Sequence, residues 1–157
     1  MYEKILLATD GSDDALRAAG RVIEFQKKWN SEVVIFHSVK HPSLMEKIKI
    51  ASQLPSTAHY IDSAVDYTKI KVEYRDAANK VLSETERMFT GGFGTLETRL
   101  IEDENPEDYI ERITEEESFD LVVLGCKGEH SKLKTIFLGS VATKALNNAA
   151  CDVLVVR

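Results

Sequence analysis

The sequence predicts an α/β fold: a five-stranded parallel sheet, doubly wound, with helices on both faces. Two observations carry this. Five short runs, KILLAT, EVVIFHSV, TLETRLI, DLVVLG and DVLVVR, are strand-like, and most are nearly solid apolar, as strands buried on both faces must be. Segments with apolar residues at helical spacing separate them, giving the order β-α-β-α-β-α-β-α-β. No repeat, low-complexity tract or linker interrupts the 157 residues, so one domain spanning 1–157 is the economical reading.

Each element has a local reason. The first strand, Lys4 to Thr9, ends at Asp10-Gly11, a turn pair, after which Ser12 can cap a helix with Asp13 and Asp14 in its first turn. Leu16, Ala19, Val22 and Ile23 form its expected buried face, and it ends near Asn30. Glu32 to Val39 is the second strand. His41 to Ser56, with Pro42 and Pro55, reads as an irregular connection with a short helix around Met45 to Ala51. From about Thr57 to Phe89 neither Gly nor Pro occurs, and Tyr74, Ala78, Val81, Leu82, Thr85, Met88 and Phe89 recur at helical spacing. TGGFG ends that helix. Thr95 to Ile101 is the third strand. Asn105 as N-cap and Pro106 at the first helical position open the next helix, whose stripe is Tyr109, Ile110 and Ile113. Asp120 to Gly125 is the fourth strand, Ser140 to Asn148 the last helix and 152–157 the fifth strand.

The net charge of −6 argues against non-specific binding to nucleic acid or an anionic membrane face. No stretch approaches the ~18 apolar residues of a membrane span, and MYEKILLATDGS does not read as a signal peptide. Cys126 and Cys151 have neither disulfide-framework nor zinc spacing; two such thiols fit a reducing cytoplasm.

Ligands of open α/β sheets bind beyond the carboxyl ends of the strands. Here those ends are Thr9-Asp10-Gly11, Ser38-Val39, Ile101-Glu102 and Gly125-Cys126-Lys127-Gly128. The P-loop and the dinucleotide fingerprint are both absent. Strand four leads instead into Gly125-x-x-Gly128, ten residues, then Gly139-Ser140 opening a helix. Small residues let backbone N–H groups approach an anion, and a helix start adds free donors. Ser140 can add a hydroxyl, and Lys127, Lys132 and Lys134 can offset the charge of a polyphosphate. The same residues also suit a plain turn and helix start with Ser140 as N-cap, and Asp10 also suits a strand terminator. His37, inside an apolar run, reads as a satisfied core histidine, and Glu115-Glu116-Glu117 as a solvated helix end. No nucleophile triad and no acid–base pair is visible.

Several blocks in order resemble the universal stress protein family: KILLATDGSDDA, VVIFHSV, DLVVLGCKG, LGSVATKAL and CDVLVVR. The resemblance covers the chain except roughly residues 42 to 94. It implies a Rossmann-like, adenine nucleotide alpha hydrolase-like fold with strand order 3-2-1-4-5. The family's ATP-binding branch carries G-2x-G-9x-G-[ST]; this chain has ten residues in the second gap, and Ala142 stands where a hydroxyl can occur. The resemblance implies that Asp10 contacts the ribose, with Thr9 at the same edge, and that Ser38 offers its backbone to the adenine. It also implies that Gly125 passes under the ribose and Gly128 under the phosphates, with Lys127 between them. Gly139, Ser140 and Val141 close on the phosphates.

The resulting expectation is a cytoplasmic, homodimeric regulator in the stress response that binds ATP, ADP or AMP, with Mg2+ or Mn2+ held by the phosphates and no protein metal ligand. A partner protein reads its nucleotide state; no catalytic residue is assigned. Slow or partner-dependent ATP hydrolysis, and a dimeric module that has lost nucleotide, stay open as alternatives. The run 152–157 is too apolar for a bare sheet edge, so it is expected to pair with its copy in an isologous dimer; the resemblance implies the same.

Overall fold

A computed structural model of the chain describes residues 1–40, 63–91, 93–126 and 138–157, with side chains in the second stretch from 71 onward. Its elements are β1 (Lys4–Ala8), α1 (Asp13–Trp29), β2 (Glu32–Val39), α2 (Ser63–Glu86), β3 (Leu96–Glu102), α3 (Pro106–Glu116), β4 (Leu121–Gly125), α4 (Ser140–Asn148) and β5 (Asp152–Val156). Among the described residues one parallel sheet runs β3-β2-β1-β4-β5. This is the expected fold and strand order. The short helix around Met45 to Ala51 and the expected helix start at Thr57 lie outside the described residues.

The apolar runs explain the layers. Successive strand residues face opposite ways, so Ile5, Leu7, Val33, Ile35, Leu121 and Val123 pack under α1 and α2, while Leu6, Val34, Phe36, Val122 and Leu124 pack under α3 and α4. Ile5, Leu6 and Leu7 are all fully buried, each contributing about 1.5–3 kcal/mol by burial. The Phe36 and Tyr109 rings meet at 4.7 Å between centroids.

The α1 stripe differs from expectation. Ala15, Ala18, Ala19, Val22 and Gln26 are buried, whereas Leu16 is exposed. The face is turned by one position because the first turn presses on β4, where only small residues fit. Tyr74, expected on the α2 stripe, is also exposed; burial begins at Ala78 and continues through Leu82 and Thr85. At its end α2 tightens into shorter bonds, Met88 N–H to Thr85 O and Phe89 N–H to Glu86 O.

Two tight features lie at the amino edge of the sheet. The Asp120 carboxylate accepts from Glu3 and Lys4 N–H, both at 2.8 Å. Gly94, with φ +58°, lies so close to the start of β2 that an added Cβ would stand 2.2 Å from Ser31 O, and its N–H donates to Asn30 Oδ1 at 2.9 Å.

Candidate functional site

The strand order reverses between β1 and β4, so the loops leaving these neighbours diverge to opposite faces. The crevice at their carboxyl ends gathers Thr9 and Asp10 from β1, Ser38 from β2 and Gly125 and Cys126 from β4. Gly139 joins them at the start of α4: its N–H donates to Cys126 O at 2.9 Å. Lys127 and Gly128, together with Lys132 and Lys134, lie outside the described residues.

Thr9 is anchored on every side. Its N–H donates to Phe36 O at 3.0 Å. Its hydroxyl lies 3.1 Å from Thr85 Oγ1, which itself donates to Val81 O at 2.9 Å. The Thr85 proton is therefore already engaged, and Thr9 must be the donor of the pair. The Thr9 oxygen also accepts from Gly11 N–H at 3.4 Å, and the residue is buried. Thr9 thus stands at the rim with its amide committed to β2 and its side chain to α2.

Asp10 Oδ1 accepts from Ser12 N–H at 3.0 Å, which closes the turn after β1. Ser12 in turn caps α1, accepting from Ala15 N–H. The Ser38 hydroxyl donates to Glu104 O and Asp103 N–H to Val39 O, which ties the loop after β3 to the end of β2. Ser38's own main-chain groups point the same way as those of Phe36, toward β1, but the β1–β2 register ends at Ala8↔Phe36. They therefore face the crevice.

Gly125 has a packing reason that the sequence did not reveal. A Cβ there would stand 2.8 Å from Ala15 N and 2.9 Å from Asp14 C, so the first turn of α1 seats directly on the end of β4.

The start of α4 differs from those of α1 and α3. Gly139, not Ser140, is its N-cap, and among the described residues no side chain caps it; Ser140 is the first helical residue. The first turn carries no acid, whereas α1 has Asp13 and Asp14 and α3 has Glu107 and Asp108. Its first N–H groups have no intrahelical acceptor and carry the positive end of the helix dipole. The first intrahelical bond among the described residues runs from Thr143 N–H to Gly139 O at 3.0 Å. Val141 is half-buried, and Ala142 is buried against α3 and the sheet.

His37 accords with the satisfied-histidine reading: half-buried, its Nδ1 lies 2.6 Å from Thr9 O. Glu117 does not fit the solvated reading. Its carboxylate accepts from Arg99 at 2.7 and 3.0 Å and from Lys4 at 3.0 Å. Those bonds hold the Glu117 carboxyl below its ordinary range, and the two cations compensate an acid at the negative end of α3. The partners come from β1 and β3, so no local signal could have found them.

A cavity of about 340 Å3 lined by Tyr2, Phe25, Leu121, Asp152, Val153 and Leu154 opens at the amino ends of β4 and β5, away from the crevice. No group of three or more His, Cys, Asp or Glu among the described residues is arranged to hold a metal ion. No described helix is long and apolar enough to cross a membrane.

A model of the universal stress protein family matches residues 1–157. Universal stress protein MJ0531 of Methanocaldococcus jannaschii is 31% identical over 157 residues, covering 100% of this chain and 83% of that protein. Universal stress protein MJ0577 of the same organism is 30% identical over 159 residues, covering 100% and 96%. The solved structure of MJ0577 superposes with a TM-score of 0.75 over 99% of this chain and 96% of the other, at 24% identity. The universal stress protein from Archaeoglobus fulgidus in complex with dAMP superposes with a TM-score of 0.61, covering 99% and 98%, at 20% identity.

Proposed function

The chain belongs to the universal stress protein family, and from that premise we propose that it binds an adenine nucleotide, ATP above all, at the carboxyl rim of its sheet and acts as a nucleotide-dependent regulator. The observation that carries this is the start of α4. It is a helix N-terminus without a first-turn acid and, among the described residues, without a capping side chain, fastened to the end of β4 by the Gly139–Cys126 bond at the switch point. Such a terminus suits a phosphate. The dAMP complex of the Archaeoglobus fulgidus relative supports the same ligand class.

In this reading Asp10 meets the ribose and Ser38 presents its backbone to the base. Gly125, Lys127 and Gly128 run beneath the ribose and phosphates, and Gly139, Ser140 and Val141 close on the phosphates. The described residues offer the nucleotide backbone donors and a dipole, and no cluster that would compete for Mg2+ or Mn2+; such a cation would be held by phosphate oxygens. In this reading occupancy rather than turnover is the signal, read by a partner protein. The free thiols of Cys126 and Cys151 suit the cytoplasm. The fifth strand is proposed to pair with its copy in a homodimer.

Unfolding the purified protein and identifying what it releases is the first test, with near one adenine nucleotide per chain expected. Thermal unfolding with ATP and Mg2+, ADP or AMP is the second. Ligand at 100 times its dissociation constant adds about 2.7 kcal/mol, and Asp10→Ala and Gly128→Val should abolish that gain. The ten-residue gap before Gly139 favours one competing reading, a module that no longer holds nucleotide. Absence of both release and stabilisation would establish it.

A further inference from the structure

Parallel strands continue pairing while each successive carbonyl finds the next N–H of its neighbour. After Thr9 N–H has bonded Phe36 O, the next rung would join Thr9 O to Ser38 N–H. The β1–β2 register stops one step before it, and Thr9 O lies instead 2.6 Å from His37 Nδ1. A carbonyl can only accept, so Nδ1 carries the proton, and in the neutral ring Nε2 does not.

We propose that His37 is a positioning residue of the nucleotide site, its ring N–H standing in for the missing rung so that Ser38 N–H stays open at the rim and Asp10 leaves the sheet in a set direction. This rests on the nucleotide reading above. Two features of the fold make the substitution effective. Thr9 is pinned by its amide to Phe36 and by its hydroxyl to Thr85, so the ring's bond to its carbonyl completes the anchoring of the residue just before Asp10. Ser38 is pinned by its hydroxyl to Glu104 O, which holds its backbone at the rim. Without the ring donor, the carbonyl of buried Thr9 is left unsatisfied, and the remedy the ladder offers is Ser38 N–H. The sheet would gain a rung and the site would lose a donor.

The distinction lies in which ring nitrogen matters. Asn presents an N–H near the place of Nδ1, Gln near that of Nε2, and Leu neither. His37→Asn is expected to bind ATP within about 3-fold of wild type, while His37→Gln and His37→Leu weaken it about 10-fold or more. Amide exchange at Ser38 in the unliganded protein is expected to be fast in wild type and His37→Asn, and slowed in His37→Leu. Nitrogen NMR of the wild-type ring, at a pH where it is neutral, should show the proton on Nδ1, a reading that needs no variant to fold. Wild type that binds, with His37→Leu binding equally well, overturns the role alone, as does a proton on Nε2 or unchanged Ser38 exchange. Wild type that binds no adenine nucleotide overturns the nucleotide reading and the role together.

Discussion

At Gly125 the first turn of α1 occupies the space a side chain would need, with Ala15 N at 2.8 Å and Asp14 C at 2.9 Å from the ideal Cβ position. Both neighbours are backbone, so neither can swing aside. Gly125→Ala is expected to cost about 1–3 kcal/mol of stability without ligand, measured by urea unfolding. A loss of nucleotide with unchanged stability would instead make Gly125 purely a ligand contact. The sequence marks Gly125 as special because it follows a buried strand, and that much was legible. Why it is small was not, because Asp14 and Ala15 lie far away in the chain. The same holds for Thr9. Its place at the end of β1 could be read directly, whereas its side-chain commitment to Thr85 depends on how α2 crosses the sheet.

Among the elements, α3 shows where local reading succeeds and where it ends. Asn105 and Pro106 open the helix and Tyr109, Ile110 and Ile113 face the core, all from spacing and composition. The Asn105 side chain, however, donates to Asp108 rather than capping, and Glu117 beyond the last turn binds Arg99 of β3. Arg99 also holds Glu97, and both carboxyls are kept below their ordinary range chiefly by their hydrogen bonds to it. A carboxyl depressed by folding takes up its proton more readily in the unfolded chain. Its contribution is therefore complete above the ordinary carboxylate value of 4.5 and falls as the pH drops through the depressed folded values. Glu117→Gln is expected to flatten that acid limb and to lose on the order of 1 kcal/mol at neutral pH. Chemical denaturation between neutral pH and pH of about 3 checks both; an acid limb as steep as that of wild type would assign it to other carboxylates.

Across the molecule, the alternation of apolar runs and amphipathic segments was enough to read a parallel, doubly wound sheet, because burial on both faces leaves little choice of architecture. The rim was legible as a rim; the loop carrying Lys127 and Gly128 lies outside the described residues. The edge strand β5 yields a test of assembly. Val156 O accepts from Cys126 N–H at 2.7 Å, so residues 152, 154 and 156 turn their backbone groups toward β4, and Val153 and Val155 turn theirs outward. Val155→Pro removes an outward N–H without touching the ladder to β4. A folded monomer by sedimentation, against a wild-type dimer, is the expected outcome; a variant that stays dimeric would move the interface elsewhere. At the opposite margin, the 2.2 Å separation beside Gly94 means that no replacement can be tolerated at a position bathed in water. Anyone mapping permitted substitutions over this surface would find Gly94 as invariant as a catalytic centre, and would be drawn to the wrong end of the sheet, where chain geometry alone forbids change.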